Sequence, residues 1–380
     1  MLRIAQIADC HLGYSSGRRY DKQGYNLRVL DGYRAYHEAI AQMIKEKVDV
    51  LLMTGDIFHM AHPDIRTIIE AQQGFRDLAD AGIPVYCIVG NHDATDIRSE
   101  IPASGVLNEP ANKIYSYTTP YYVKEIFPGV VCHFLSHHAY TDQGETMKKI
   151  KLIPDKINIL VSHGSCFDTN LNTVLHCPQE PREVVIPEFV MNLGWDYTFL
   201  GHIHERGWIG SKDGKTDTEN RKQFYGGSIL RRGFTDKPCK LGRGWTLWTI
   251  DDNKKFTPTF FNVWQRNQFD LPRIKAKDLT ANEIEDILVK QLQDVMEKCN
   301  AKDGKIKNEY APIVRQTIVD VDSLKYVAID WSKTSRFTNQ FLSYTLRKKE
   351  SQEQIDENDV ADLKADSDKN TGKDISEVFD

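Results

Sequence analysis

Short apolar runs alternate with longer stretches whose apolar side chains recur every three or four positions over the first ~230 residues. That alternation of strand-like and helix-like segments is the pattern of an α/β domain. Leu2–Ala8 predicts a buried strand. Tyr33, Tyr36, Ile40, Met43, Ile44 and Lys47 trace a helix with one apolar side. Val48–Met53 is a second strand, and Ile65, Ile68, Ile69, Phe75 and Leu78 mark a second helix, closed by Ala81-Gly82-Ile83-Pro84. Val85–Val89, Val130–Leu135, Ile157–Val161 and Tyr197–Leu200 are further strands.

From about Gly226 the texture changes. Trp245–Ile250 and Phe256–Val263 predict a hairpin around Asp251-Asp252-Asn253. Ala281–Cys299 predicts a helix, with Thr280 as N-cap and Glu283 three residues on. Ile313–Val321 and Val327–Ile329 are strand-like. The expected organisation is an α/β domain over 1–235, a smaller α+β module over 236–335 and a final segment, 336–380. After Lys349 apolar periodicity is lost, and the tail is expected to be disordered or to fold on a partner.

Charge sharpens this division. The formal net charge is −5, yet residues 350–380 hold eleven acids and three lysines, a net of −8. The rest of the chain therefore carries +3 (−5 less −8), with basic clusters at Arg18-Arg19 and Arg231-Arg232 that favour a phosphate-bearing partner. Seven cysteines without a Cys-x-x-Cys pair argue against a disulfide frame or a zinc knuckle. No window approaches the roughly 18 continuous apolar residues of a membrane span, so a soluble intracellular protein is expected.

The candidate chemistry lies just beyond the strands. The first is followed by Asp9-Cys10-His11, the second by Gly55-Asp56 and the third by Gly90-Asn91-His92-Asp93. Later strands are followed by Ser162-His163-Gly164 and Gly201-His202-Ile203-His204. Each motif alone is weak; five in series at strand ends are not, because α/β sheets gather their sites beyond the carboxyl ends of strands. Asp9 and His11 are two apart, so in extended backbone they share a face. Carboxylate, amide oxygen and imidazole without thiolate suit Mn²⁺, Fe²⁺ or a catalytic zinc better than a structural zinc site. Seven candidate ligands are too many for one catalytic ion and suit two ions sharing a bridge.

The series Asp-x-His, Gly-Asp, Gly-Asn-His-Asp, His, Gly-His-x-His resembles that of the calcineurin-like metallophosphoesterases, over about residues 1–235. Leu12-Gly13-Tyr14, Gly55-Asp56-Ile57-Phe58-His59 and Tyr225-Gly226-Gly227-Ser228-Ile229 with Phe234 resemble one branch, the SbcD or Mre-eleven type nuclease of DNA double-strand-break repair. The resemblance implies a four-layer α-β-β-α sandwich followed by a smaller α+β capping domain and the acidic tail. It implies a nuclease acting on double-stranded ends and single strands of DNA, with two Mn²⁺ per chain (Fe, Mg or Zn as alternatives). One ion would be held by Asp9, His11 and His204 and the other by Asn91, His163 and His202, with Asp56 bridging. His92 would be catalytic without being a ligand, His59 would orient it, and Asp93 would fix the loop. The partners implied are an SbcC-type coiled-coil ABC ATPase and a second copy of the chain, paired through Ile65–Leu78 and the region 97–107. The location implied is cytoplasmic, at the nucleoid.

Arg18, Arg19, Arg231 and Arg232 are the expected DNA contacts. Phe337, Phe341, Leu342 and Leu346, at i, i+4, i+5 and i+9, are the expected partner-binding set. His62 and the His137-His138 pair are expected to be structural, the His176-Cys177 pair lacks companion ligands, and Ser165 is not the expected nucleophile. The competing reading is a stand-alone phosphodiesterase on nucleotides or other small phosphoesters. A non-catalytic scaffold disagrees with an intact ligand series.

Overall fold

The computed structural model describes residues 1–95, 100–140, 145–168, 173–174, 184–209, 222–236, 239–299, 301 and 305–349. The acidic tail 350–380 and the His176-Cys177 pair lie outside the described residues. The chain divides into two units, one of Met1–Ser16 with Tyr20–Gln265, the other of Gly17–Arg19 with the chain from Arg266 on.

The first unit runs β1 (Leu2–Ile7), α1 (Leu27–Lys45), β2 (Val50–Met53), α2 (Ile65–Asp80), β3 (Val85–Ile88), β4 (Ile114–Tyr117), β5 (Tyr121–Phe127), β6 (Val130–Leu135) and β7 (Ile157–His163). It continues with β8 (Ser165–Asp168), β9 (Thr173–Val174), β10 (Val185–Ile186), α3 (Glu188–Met191), β11 (Tyr197–Gly201), β12 (Gly207–Trp208), β13 (Gln223–Tyr225), β14 (Gly244–Ile250) and β15 (Phe256–Asn262). One six-stranded sheet has the order β15-β14-β1-β2-β3-β4, and a second has β12-β13-β11-β7-β6-β5. A small sheet, β10-β8-β9, stands apart from both.

The near-continuous apolar strands follow from burial on both faces. Side chains alternate along a strand, so each strand feeds two cores. Ala5, Ile7, Leu51, Met53, Val85 and Cys87 pack with Tyr36, Ile40, Met43, Phe75 and Leu78 of α1 and α2. Ile4, Val50, Leu52 and Ile88 pack instead against Cys132, Phe134, Ile159, Val161 and Phe199 of the second sheet. A third core covers that sheet's other face, where Leu135, Leu160 and Leu200 meet Val190, Met191 and Trp195. The outer layer there is formed by the one-turn α3 and 3₁₀ turns at His137–Tyr140 and Met147–Lys149 among the described residues.

The structure moves the expected boundary at 235/236. The hairpin β14–β15 belongs to the first unit, with β14 antiparallel to β1 from Leu2↔Ile250 to Gln6↔Thr246. Trp245 is buried among the helix-facing side chains and Trp248 in the core between the sheets. Trp248 Nε1 also donates to Gln6 Oε1 at 2.9 Å. The hairpin pattern is local and carries no information on which sheet its edge completes, so the first unit extends to Gln265.

The second unit holds β16 (Gln268–Asp270), β17 (Ile274–Lys275), α4 (Ala281–Lys298), β18 (Ile313–Val319), α5 (Ser323–Ala328), α6 (Ser332–Thr338) and β19 (Ser343–Lys349). β18 pairs with β16, β17 and β19, in parallel throughout. α4 opens with the expected capping box between Thr280 and Glu283 and buries Ile284, Leu288, Leu292 and Val295. Two expectations fail here. Val327–Ile329 is not a strand: Asp322 caps a helical turn by accepting from the Lys325 backbone N–H at 2.9 Å. Phe337, Phe341, Leu342 and Leu346 are not an apolar face awaiting a partner. They fall on α6, the following turn and β19, where the first three are buried and Leu346 packs against the core of this unit. Their helical spacing arises across a helix–turn–strand junction, so residues 336–349 are part of the folded module.

Candidate metal centre

β1, β2 and β3 are parallel neighbours in the first sheet, as are β7 and β11 in the second. Their carboxyl ends deliver all five motifs to one place. The turns there demand unusual backbone: Asp9 (φ 48°), His11 (φ 44°), Asp56 (φ 51°) and His202 (φ 99°) have positive φ. Each such residue costs roughly 1–3 kcal/mol unless its surroundings hold it. Here they do: the Asp9 N–H donates to the Gly55 carbonyl at 3.2 Å, and the His11 N–H to the Asp56 carbonyl at 3.0 Å. Gly90 has no side chain because none fits, since a Cβ there would lie 2.5 Å from the Asp56 nitrogen and closer still to its carboxylate.

Two groups of donors result. In one, His11 Nε2 and His204 Nε2 are 3.0 Å apart, with Asp9 in the same cluster. In the other, Asn91 Oδ1 lies 2.9 Å from His163 Nε2 and 3.0 Å from His202 Nδ1. Asp56 Oδ2 stands between them, 3.3 Å from His163 Nε2 and 3.7 Å from His11 Nε2. All seven side chains are buried. Burial raises the Asp9 carboxyl against the opposing pull of His163 and His204. Burial also pushes His11 well down, helped by the charge of Arg232. Burial disfavours charge on His163 too, but Asp56, Asp9 and the Thr54 carbonyl overcome it and hold the imidazole up to about 10.

These donors fit a pair of divalent cations. Asp9 Oδ2 is buried with no hydrogen-bond partner, an expensive state for a carboxylate oxygen unless a cation meets it. Two imidazole Nε2 atoms at 3.0 Å can share at most one proton, whereas both can offer lone pairs to an ion. The Nδ1 of His163 lies 2.8 Å from the Thr54 carbonyl, an acceptor only, which puts the proton on Nδ1 and leaves Nε2 for the metal.

His92 stands beside the donors. Its N–H donates to Asp56 Oδ1 at 2.9 Å, and its Nδ1 bonds the His59 carbonyl at 2.7 Å. The His59 ring stacks on His92 with centroids 5.1 Å apart and meets Tyr14 edge-on. Asp93 accepts from the backbone N–H groups of Ile57, Phe58 and Gly90. Burial and Asp56 raise its carboxyl to about 6 against those three hydrogen bonds.

The expected arginines fare differently. Arg18 is exposed, and Arg19, in the second unit, donates to Asn308 and to the Asn339 carbonyl. Arg231 Nε donates to the Asp236 carbonyl and the Arg232 N–H to Asp236 Oδ2, so both brace their own loop. Asp236 itself escaped the sequence reading. It is buried, with Oδ1 3.2 Å from His204 Nδ1. Burial alone would raise its carboxyl, but His204, Arg232 and Arg243 hold it well below the usual carboxylate range. Its sequence signal was faint: one acid in a turn-rich stretch, one residue past the expected boundary.

Residues 2–206 match the family model described as "Calcineurin-like phosphoesterase". Three archaeal proteins, each described as DNA double-strand break repair protein Mre11, are similar to the chain. That of Methanocaldococcus jannaschii is 26% identical over 326 residues, covering 82% of this chain and 78% of the relative. Those of Saccharolobus solfataricus and Methanococcus maripaludis are each 26% identical, over 56% and 57% of this chain and 52% and 55% of their own lengths. A solved structure, a dimetal phosphatase from Danio rerio, superposes with a TM-score of 0.39 at 12% identity, over 66% of this chain and 93% of the other. With the family model spanning more than half of it and the ligand series closed in space, the chain belongs to the calcineurin-like phosphoesterases.

Proposed function

We propose that the chain is a Mn²⁺-dependent DNA nuclease of the Mre11 type, working inside the cell, at the nucleoid, in a double-strand-break repair complex with an SbcC-type coiled-coil ABC ATPase. The observation that carries the reading is the convergence of two donor groups on Asp56, with His92 bonded to the same carboxylate. The M. jannaschii relative supports DNA over a small phosphoester, because its match extends over 326 residues, well beyond the part needed for a minimal phosphoesterase.

On this reading Asp9, His11 and His204 would hold one ion and Asn91, His163 and His202 the other, with Asp56 serving both. Oxygen and imidazole donors suit Mn²⁺, with Fe, Mg and Zn as the alternatives. When bound, such a pair supplies Lewis-acid charge neutralisation at the phosphate and acidifies water. His92 offers the proton for the leaving oxygen. A carbonyl can only accept, so Nδ1 carries a proton and Nε2 is the atom that exchanges one with substrate. His59 holds that orientation by its carbonyl and stacked ring. Among the expected arginines, Arg232 stands beside the His204 donor group, with Nη2 4.0 Å from Asp236 Oδ1, which supports it as a contact for a DNA phosphate.

A homodimer is part of the proposal. Ile65 and Ile69 of α2 are 77% and 55% exposed, with Met60 and Val106 also open, which supports pairing through this face. For the ATPase, Leu324 and Val327 on α5 are strongly exposed apolar side chains of the second unit and replace the buried set as the surface to substitute.

The test is the purified chain with Mn²⁺ on end-labelled duplex and single-stranded DNA. Cleavage is expected, lost in His92→Ala and Asp56→Asn. Metal counting on His202→Ala and His204→Ala should show one ion lost mainly from each group. If the protein, alone and with its ATPase, leaves every DNA intact yet hydrolyses bis-p-nitrophenyl phosphate, the nuclease reading is wrong.

A further inference from the structure

We propose that Asp236 is a positioning residue for the metal ligand His204, fixing its tautomer through a carboxylate whose other oxygen is locked as an acceptor. The inference rests on the two-cation reading of this site. His204 can bind a cation through Nε2 only if the ring proton sits on Nδ1. Asp236 Oδ1, 3.2 Å from Nδ1, accepts that proton, as carboxylates behind metal-bound histidines commonly do.

The lock lies on the far side of the carboxylate. Oδ2 accepts from the Arg232 backbone N–H at 2.9 Å and faces Arg243 Nη2 at 3.9 Å. Arg243 is buried, and its Nη1 also donates to the His204 carbonyl at 3.0 Å and to Ser228 Oγ. The loop carrying Asp236 is tied from a second direction, because Arg28 of α1 donates to the Arg231 carbonyl at 2.6 Å and Tyr14 to the Arg232 carbonyl at 3.0 Å. The carboxylate therefore cannot turn its two oxygens to other uses.

This geometry makes an unusual forecast. In Asp236→Asn, one oxygen becomes an NH₂ group. Placed at the Oδ2 position it would set donor against donor, meeting the Arg232 backbone N–H at 2.9 Å as well as Arg243, whereas on the other side the nearest arginine nitrogen, Arg232 Nη2, is 4.0 Å away, so it faces His204. Nδ1 would then accept, the ring proton would move to Nε2, and the ligand atom would be blocked. In Asp236→Ala, water can take the proton from Nδ1 and the correct tautomer survives. The isosteric change is thus the more harmful one for metal binding.

The experiment is Mn²⁺ binding by the full chain, by calorimetric titration and by ion counting after dialysis against fixed Mn²⁺, with thermal unfolding with and without the ion. For Asp236→Asn we expect one of two ions to bind about 10–100-fold more weakly, and a smaller loss for Asp236→Ala. A purely structural residue would show the reverse order, with Ala worse and the metal-free melting temperature falling in step. Wild-type affinity for both ions in Asp236→Asn, or weaker binding in Ala than in Asn, would overturn the assignment. Two ions in the wild type with all DNA left intact would sink the nuclease reading while leaving the Asn-versus-Ala comparison standing.

Discussion

Two glycine-to-alanine changes should have opposite signs. Gly90 sits at the end of β3 without positive φ, so alanine is acceptable to the backbone there. Space is the only obstacle. Its Cβ would lie 2.5 Å from the Asp56 nitrogen, 2.8 Å from its Cγ and nearer still to Oδ1. Rotating the Asp56 side chain does not relieve a clash with backbone, so the whole turn must give, and the carboxylate must retreat on the order of 1 Å. Displacements of that size cost about 100-fold in rate, or roughly 2.7 kcal/mol of transition-state stabilisation. His92 moves too, since its N–H is bonded to the same oxygen. Stability should fall by about 1–3 kcal/mol from overpacking, offset by roughly 0.4–1 kcal/mol from the stiffer unfolded chain. Gly32 is the control. It lies inside α1, where a Cβ would meet nothing within 4 Å, so Gly32→Ala should stabilise by about 1 kcal/mol and leave activity alone. Mn²⁺-dependent hydrolysis of bis-p-nitrophenyl phosphate, ion counting and thermal melts measure all three effects. Gly90→Ala with two ions and activity within threefold of wild type would refute the claim that this turn has no slack.

Arg28 is fully buried with its guanidinium 2.7 Å from Asp31, so Arg28→Met should destabilise by about 3–5 kcal/mol by removing the buried charge that faces that carboxylate and the donor to the Arg231 carbonyl. In a denaturant melt Arg28→Met/Asp31→Leu should recover the part of the loss due to the ion pair, but not the part due to the Arg231 carbonyl left without its donor, and equal losses in single and double variants would refute the pairing. In the metal-free protein His163 is held up to about 10, above its ordinary 6.5, so its proton stabilises the fold below about pH 6.5 and that contribution fades as pH rises through 10. On the proposed reading Mn²⁺ bound through His163 would displace this proton, so affinity should rise with pH in that window by up to about tenfold per unit; titrations in buffers of different ionisation enthalpy detect the release, and a pH-independent affinity would contradict it. Phe341 is 2% exposed in the second unit, so Phe341→Ala should cost about 3–5 kcal/mol in that unit's melting, and an unchanged melt with a lost partner would restore the partner-binding role.

The five strand ends were legible because the signals are local: an apolar run, then a donor residue within four positions, preceded by a glycine in three of the five. Their convergence followed from the topology rule for parallel strands rather than from any pairwise pattern. Asp236 was illegible because its tie to the site, through His204, lies 32 residues away in sequence, beyond the reach of any local pattern. The hairpin at 244–262 was seen as a hairpin but given to the wrong unit, since strand alternation does not name a partner strand. Phe337, Phe341 and Leu342 misled for a related reason: a spacing of four marks a helix face only if the helix continues, and α6 ends at Thr338.

The pairing of β1 with β14 also sets a clock on biosynthesis. β1 ends at Ile7, yet the edge strand that covers it ends at Ile250. At 5–20 residues per second the wait is roughly 12–50 s. Through that interval β1 is a nascent sheet edge open to other chains, and truncated products ending before the hairpin would keep that edge and join aggregates. The site is equally late, because Asp9 and His11 cannot meet His202 and His204 until most of the first unit has been made. Cation capture is therefore one of the last steps of maturation, and cells short of the metal during synthesis would accumulate folded but empty enzyme rather than half-built intermediates.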